Sequence, residues 1–312
     1  MSTVPDVARP PAGTKSKAGR SRRSSVGELG PALVFIAPAT LGFAVFFLWP
    51  TIRGLYLSFT DYSLFGSPTF TGLDNYRQLV QDEVFWNALK VTVEYVVINI
   101  GLQTIIALAL ANLMYRVTKS AFVRGALMLP YLIANVVVAL VWLWMLDFQI
   151  GIVNQMLEWV GIDKVAWLGS EEWAIPSIAF INVWRHVGYT ALLIFAGLQT
   201  IPATIYEAAA VDGSSEWRTF WRITMPLLRP VMVLVLVLTI IGSFQIFDTV
   251  AVTTKGGPVN ASRVLQYYIY EQAFGRSHFG YGAALSAVLF LILAGVAFAQ
   301  LKLLRAGESD LA

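Results

Sequence analysis

Residues 207–230 read Glu207-Ala-Ala-Ala-Val-Asp212-Gly213-Ser-Ser-Glu-Trp217-Arg-Thr-Phe220-Trp-Arg-Ile223-Thr-Met-Pro226-Leu-Leu-Arg-Pro230. The pattern predicts a short helix, a break at Gly213, a second short helix from Ser214 and a stop at Pro226. Ser214 or Ser215 can cap the second helix, with Trp217 and Phe220 as its apolar anchors. Glu207 is expected in the first turn of its helix, where negative charge is favoured. Such an elbow is a compact handle that a soluble partner can push or pull.

The elbow sits between two long apolar runs. A helix that crosses a bilayer needs about 20 mostly apolar residues. Six stretches meet that requirement, near 31–52, 91–115, 125–146, 176–200, 230–250 and 281–302. The first, third and sixth carry no charge except Lys302 at one end. The second contains Glu94, the fourth Arg185 and His186, and the fifth reaches Asp248. Trp49, Trp142, Trp144 and Trp173 fall near the ends of these runs, where amphipathic rings favour the headgroup level.

Composition agrees with several spans. The 312 residues are 57% hydrophobic and 13% charged, against about 25% charged in soluble domains. The expected fold is therefore an all-α integral membrane protein with six transmembrane helices. Residues 1–28 are rich in Pro, Ser, Gly, Lys and Arg and read as a disordered basic cytoplasmic tail. Residues 29–306 form the membrane domain, with the elbow region at 203–230, and 307–312 form a second cytoplasmic tail. The first run is too long for a signal peptide, and no small-residue cleavage site follows it.

Lys and Arg set the orientation. With the N-terminus inside, inner segments hold fourteen and outer segments seven, and Arg185 within a span completes the 22. Both termini are therefore expected in the cytoplasm. The outer loops, about 53–90, 147–175 and 251–280, are long and aromatic. They read either as short helices on the membrane surface or as a docking surface for a partner.

Polar residues inside spans are costly and usually face a cavity. Asn182, Arg185, His186 and Tyr189 recur at i, i+3, i+4, i+7 and share one face of the fourth span. Thr239, Gly242, Ser243 and Ile246 repeat that spacing in the fifth, where Gly242 lets a ring or backbone approach closely. Together they mark a solute path. Arg185 can face that path, or it can pair with Glu94, Asp248 or a partner subunit. In the path, its charge favours an anionic or phosphorylated solute, although its fork also suits neutral hydroxyls.

Absences narrow the chemistry. There is no cysteine, and the only histidines are His186 and His278, so no metal site is expected. No Gly-x-x-x-x-Gly-Lys-Ser/Thr phosphate loop is present. No Ser–His or paired-Asp arrangement suggests an intramembrane enzyme. An ion-coupled carrier would draw on Glu94, Arg185 and Asp248, but the inverted repeats and broken helices of that class are not evident.

The Glu-Ala-Ala…Asp-Gly…Ile…Pro pattern resembles the coupling segment of permease subunits of binding-protein-dependent ABC importers. Gly213 falls six residues after Glu207 and Pro226 thirteen after Gly213, with no gap. Met225 stands where that family usually has Leu. The stretch from Phe244 to Gly256-Gly257-Pro258 resembles the carbohydrate-uptake branch, whose members include the larger maltose permease subunit and glycerol-phosphate permeases. Arg124…Leu129-Pro130-Tyr131 and Gly197-Leu198-Gln199…Ile201-Pro202 extend the likeness.

The resemblance implies a type I ABC importer permease fold and transport by alternating access. It also implies that Glu207, Ala208, Ala209, Asp212, Gly213, Ile223 and Pro226 contact a separate ATPase subunit. The implied partners are a second homologous permease, two ATPase subunits that carry ATP and Mg, and an extracytoplasmic binding protein that delivers a sugar, polyol or sugar phosphate. The chain itself would be no enzyme and bind no cofactor, in a bacterial or archaeal cell membrane. The two polar stripes align with the sugar-contacting stripes of the maltose subunit. Asn182 and Tyr189 match its residue types; Arg185, His186, Ser243 and Ile246 do not.

Overall fold

The computed structural model describes residues 26–64, 66–117 and 120–303. Most of the expected tail through residue 28, and all of 307–312, lie outside them. The chain divides at Ile52 into two compact units. The first holds helix α1 (Val26–Phe43), a π turn (Ala44–Leu48) and the start of α2 (Trp49–Leu57). Helix thus begins at Val26, inside the stretch read as tail. No side chain described between residues 34 and 52 is buried.

The second unit continues with α3 (Asp74–Gln81), α4 (Glu83–Val117), α5 (Ala121–Leu132), α6 (Asn135–Met145), α7 (Ile152–Trp159) and α8 (Ala174–Leu198). Then follow α9 (Ala203–Val211), α10 (Glu216–Thr219), a π turn (Phe220–Thr224), α11 (Met225–Phe244), α12 (Asp248–Thr253), α13 (Leu265–Tyr270), a π turn (Glu271–Gly275) and α14 (Phe279–Leu303). The outer-loop segments do carry short helices: α3, α7, α12 and α13.

Helix α4 has 35 residues, about 52 Å at 1.5 Å per residue. It overshoots a hydrocarbon core of about 30 Å. The excess extends before residue 91, because Asp82 caps its start: Oδ1 accepts the backbone N–H groups of Val84 and Phe85. Its Oδ2 accepts the hydroxyls of Tyr268 and Tyr281. One carboxylate thereby clamps α4, α13 and α14 together. Burial pushes this carboxyl up, yet the hydrogen bonds from Tyr268, Tyr281, Phe85 and Val84 outweigh it and hold the pKa below the ordinary value.

The third span differs from the continuous helix expected at 125–146. It is two helices, α5 and α6, bent by 88°. Ile133 and Ala134 between them are extended, with ψ of 138° at both. With 12 and 11 residues, each half is under 20 Å long, a little over half of the core. The fifth span is interrupted as well. Helix α11 ends at Phe244, residues 245–247 are non-helical, and Asp248 begins α12. Gly256-Gly257-Pro258 forms a turn beyond α12, with Gly256 at φ +82°.

Helix α8 is the hub. Near the elbow it packs Ala191, Ile194, Phe195 and Leu198 against Ala107, Ala111 and Met114 of α4 and Leu228, Met232 and Val235 of α11. Far from the elbow a second apolar cluster joins Tyr95 and Val96 of α4, Ile178 of α8, Phe244, Leu265 and Leu285. Helix α5 crosses α8 at Gly188, where a Cβ would lie 1.8 Å from the Leu127 carbonyl oxygen. Only glycine permits that approach. Trp142, expected near a headgroup, is buried instead, edge-on to Phe180 and Trp184.

Candidate functional site

A polar layer separates the two apolar clusters. Asn99 and Gln103, one turn apart on α4, are 3% and 4% exposed. Asn99 Nδ2 donates to Ser243 Oγ at 2.9 Å and Gln103 Nε2 to Thr190 Oγ1 at 2.8 Å. Ser243 Oγ donates in turn to the Thr239 carbonyl. Three spans are thereby joined by hydrogen bonds that hydrocarbon could not supply.

Beside this layer lies a cavity of ≈ 270 Å³. Its wall includes Asn182, His186, Tyr189, Thr239, Gly242, Ser243 and Ile246, seven of the eight residues expected on the solute path. A Cβ on Gly242 would meet nothing within 4 Å. Gly242 therefore widens the cavity and does not accommodate a neighbouring backbone. Tyr95, Asn99, Gln103, Tyr131, Asn135, Thr190, Gln245, Asp248 and Thr249 also line it. The signal for Asn99 and Gln103 was present: two amides at i, i+4 in the uncharged stretch of α4 between Glu94 and Arg116.

Arg185 is the eighth expected residue, and it is not on the cavity wall. Its Nε and Nη2 donate to the Ile133 carbonyl, at 3.1 and 3.0 Å, and Nη2 also donates to the Tyr131 carbonyl at 3.0 Å. Those carbonyls lie at the α5–α6 break, where helix termination leaves acceptors without intrahelical partners. The guanidinium also lies 5.2 Å from the Tyr131 ring, and that ring stacks on Tyr189 at 4.5 Å. Among the described residues Arg185 forms no ion pair with Glu94 or Asp248. Its partners are the two carbonyls, the Tyr131 ring and the His186 side chain.

The same contacts define His186. Its Nδ1 lies 2.9 Å from the Asn182 carbonyl, which can only accept, so Nδ1 carries the proton. Arg185 Nη1, which can only donate, lies 2.8 Å from Nε2. Both roles are filled by a neutral imidazole. Asp248 receives Asn135 Nδ2 on Oδ2 at 2.7 Å, a bond that joins the two broken spans at the cavity rim.

The elbow closes the other end of α8. Helix α9 ends in a Schellman motif: Ser214 N–H donates to the Ala209 carbonyl and Gly213 N–H to the Ala210 carbonyl. Gly213 holds φ +70°, which this motif favours in glycine. Ser215 Oγ then caps α10 by accepting the Arg218 N–H. Glu207, Ala208, Asp212, Gly213 and Pro226 are exposed, Ile223 is half-buried and Ala209 is buried.

Three local expectations fail here. Glu207 is the fifth residue of α9, not in its first turn, because the helix starts at Ala203. Pro226 does not stop a helix; it sits in the first turn of α11. The preceding π turn widens the coil, so the proline ring and missing N–H are accommodated. Trp217 is 73% exposed and touches Trp221 edge-on, so it anchors nothing within this chain. Arg116 at the end of α4 pairs with Glu216 of α10.

A bundle of apolar spans around a polar cavity, with an exposed helical elbow at one end, is a multi-pass membrane transport subunit. Residues 103–304 match the model of the binding-protein-dependent transport system inner membrane component family. The chain belongs to that family. It is 35% identical to the probable ABC transporter permease protein YurN of Bacillus subtilis, over 89% of this chain and 97% of that one. It is 32% identical to the sulfoquinovosyl glycerol transport system permease protein SmoG of Agrobacterium fabrum, over 91% and 94%. A solved bacterial ABC transporter for the acidic polysaccharide alginate has a chain of the same fold, with TM-score 0.80, 23% identity, and coverage of 91% and 98%.

Proposed function

We propose that this chain is one of two permease halves in an ATP-driven importer of a sugar or related polyol. The observation that carries the reading is the elbow: its exposed edge at Glu207, Ala208, Asp212 and Gly213 has a geometry set by the Schellman turn. An ATPase subunit docks on that edge, with Ala209, Ile223 and Pro226 supporting it. ATP and Mg stay on two such partners, and this chain performs no chemistry of its own. A second permease completes the pore, and a binding protein delivers solute to the aromatic loops outside the membrane. Both termini lie in the cytoplasm, consistent with the distribution of Lys and Arg.

Mechanistically, closure of the ATPase pair moves α9 and α10. The Arg116–Glu216 pair and the continuous helical path from α10 into α11 carry that displacement to α4 and α11, two walls of the cavity. The solute meets Asn182 and Tyr189 of α8, Thr239, Gly242 and Ser243 of α11, and Ile246 just beyond it. The experiment is solute-stimulated ATP hydrolysis by the assembled complex. Gly213→Pro and Glu207→Lys are expected to abolish it while membrane insertion is kept. Normal hydrolysis in both variants would remove the elbow from the mechanism.

A further inference from the structure

We infer that the cavity selects an uncharged, hydroxyl-rich solute and rejects anionic ones, with Asp248 as the residue that sets this preference. The inference rests on the reading of the cavity as the solute path. The family does not settle solute charge, since the solved transporter of the same fold imports an acidic polysaccharide.

The argument is a census of the cavity wall. Among the described residues no Lys or Arg lines it, and Asp248 is its single carboxylate. Arg185, beside the lining residue His186, has its donors directed at the Tyr131 and Ile133 carbonyls and His186. His186 is neutral, with both ring nitrogens occupied. On this chain's side an anion would meet the Asp248 carboxylate, while the guanidinium of Arg185 is turned to backbone carbonyls and His186.

The hydrogen-bond direction points the same way. The Thr239 carbonyl can only accept, so Ser243 donates to it, and Asn99 must present its N–H to Ser243. The second Asn99 N–H contact is to Gln103 Oε1. Asn99 Oδ1 is left buried without a protein partner. Asn99 Oδ1 is too buried to meet a solute, so the acceptor the wall offers is the Asp248 carboxylate. Phosphate, carboxylate and sulfonate bring only acceptors at neutral pH. Sugar hydroxyls bring donors that suit this carboxylate.

The test uses the assembled complex in lipid discs, without the binding protein, so that this cavity and not the binding protein is queried. Its thermal midpoint is followed against maltose, trehalose, sucrose and cellobiose, and against glycerol 3-phosphate, glucose 6-phosphate and glucuronate. At least one neutral disaccharide is expected to raise the midpoint, and no anionic compound should. Asp248→Asn keeps an acceptor for Asn135 but removes the charge, and neutral-sugar binding should weaken by about tenfold as a charge-assisted hydrogen bond becomes a neutral one.

Stabilisation by an anionic compound, silence toward all neutral sugars, or unchanged binding in Asp248→Asn would each overturn the inference. If that variant fails to assemble, the wild-type panel decides alone. ATP-dependent uptake of a phosphorylated or carboxylated solute by the wild type would sink this inference and leave the importer function standing. Normal hydrolysis in the elbow variants would sink the function itself.

Discussion

Replacing Arg185 with Ala tests whether its guanidinium serves the fold or the solute. Two carbonyls, Tyr131 and Ile133, lose their donor at the α5–α6 break. The part-buried Tyr131 carbonyl left unpaired costs about 1–3 kcal/mol, and the exposed Ile133 carbonyl adds little. The cation–π contact with Tyr131 adds about 0.5–2 kcal/mol. Arg185→Lys retains the charge but has one point donor where the fork reached two carbonyls, so it should recover only part of the loss. The assay is the thermal midpoint of the assembled complex, measured beside solute binding. Arg185→Ala should lower the midpoint by more than Arg185→Lys does, and neither should turn a neutral-solute importer into an anion importer or the reverse. An unchanged midpoint in Arg185→Ala with solute binding lost would refute the reasoning and place the guanidinium on the solute.

Three further outcomes follow from the packing. Gly188→Ala should expel α5 from α8 and destabilise the complex by at least about 1–3 kcal/mol, because the new Cβ meets the Leu127 carbonyl oxygen and not a movable side chain; protease resistance of the assembled protein reads this. Gly242→Phe should leave assembly intact, since a Cβ there projects into open space, while solute uptake falls as the ring fills the cavity. For Asp82, the folded carboxyl has the lower pKa, held there by hydrogen bonds that outweigh burial. Its contribution to stability is therefore complete above the ordinary carboxylate pKa of about 3.9 and fades as pH falls through the folded value. Asp82→Asn should remove that acid-range dependence from the midpoint and lower stability at neutral pH.

Hydropathy found the spans because apolar length is a property of composition, but it carries no direction. The run 125–146 carries no charge and its mean hydropathy reads as one span, but Pro130 and Asn135 flank the point where the two halves bend by 88° and were the available signal. The cause of the bend is partly remote: Arg185, on another helix, satisfies the acceptors that the break exposes. Backbone carbonyls have no residue letter, and the partner of Arg185 could not be read from charges. The polar stripes on α8 and α11 were legible because 3.6-residue periodicity survives in sequence. Asn99 and Gln103 were equally legible and were passed over beside the more conspicuous Glu94, which is exposed. Within the elbow, Gly213 carried its reason openly in a positive φ. Pro226 misled because the π turn before it absorbs the constraint that usually ends a helix.

The central claim is that this chain is half of a pore worked by an ATPase through the elbow. Uptake of labelled solute into vesicles tests it most directly. The account predicts ATP-dependent uptake when this chain is reconstituted with a second permease, ATPase subunits and binding protein, and no uptake by the chain alone under any imposed ion gradient. Solute movement by the purified chain alone, driven by such a gradient, would contradict it.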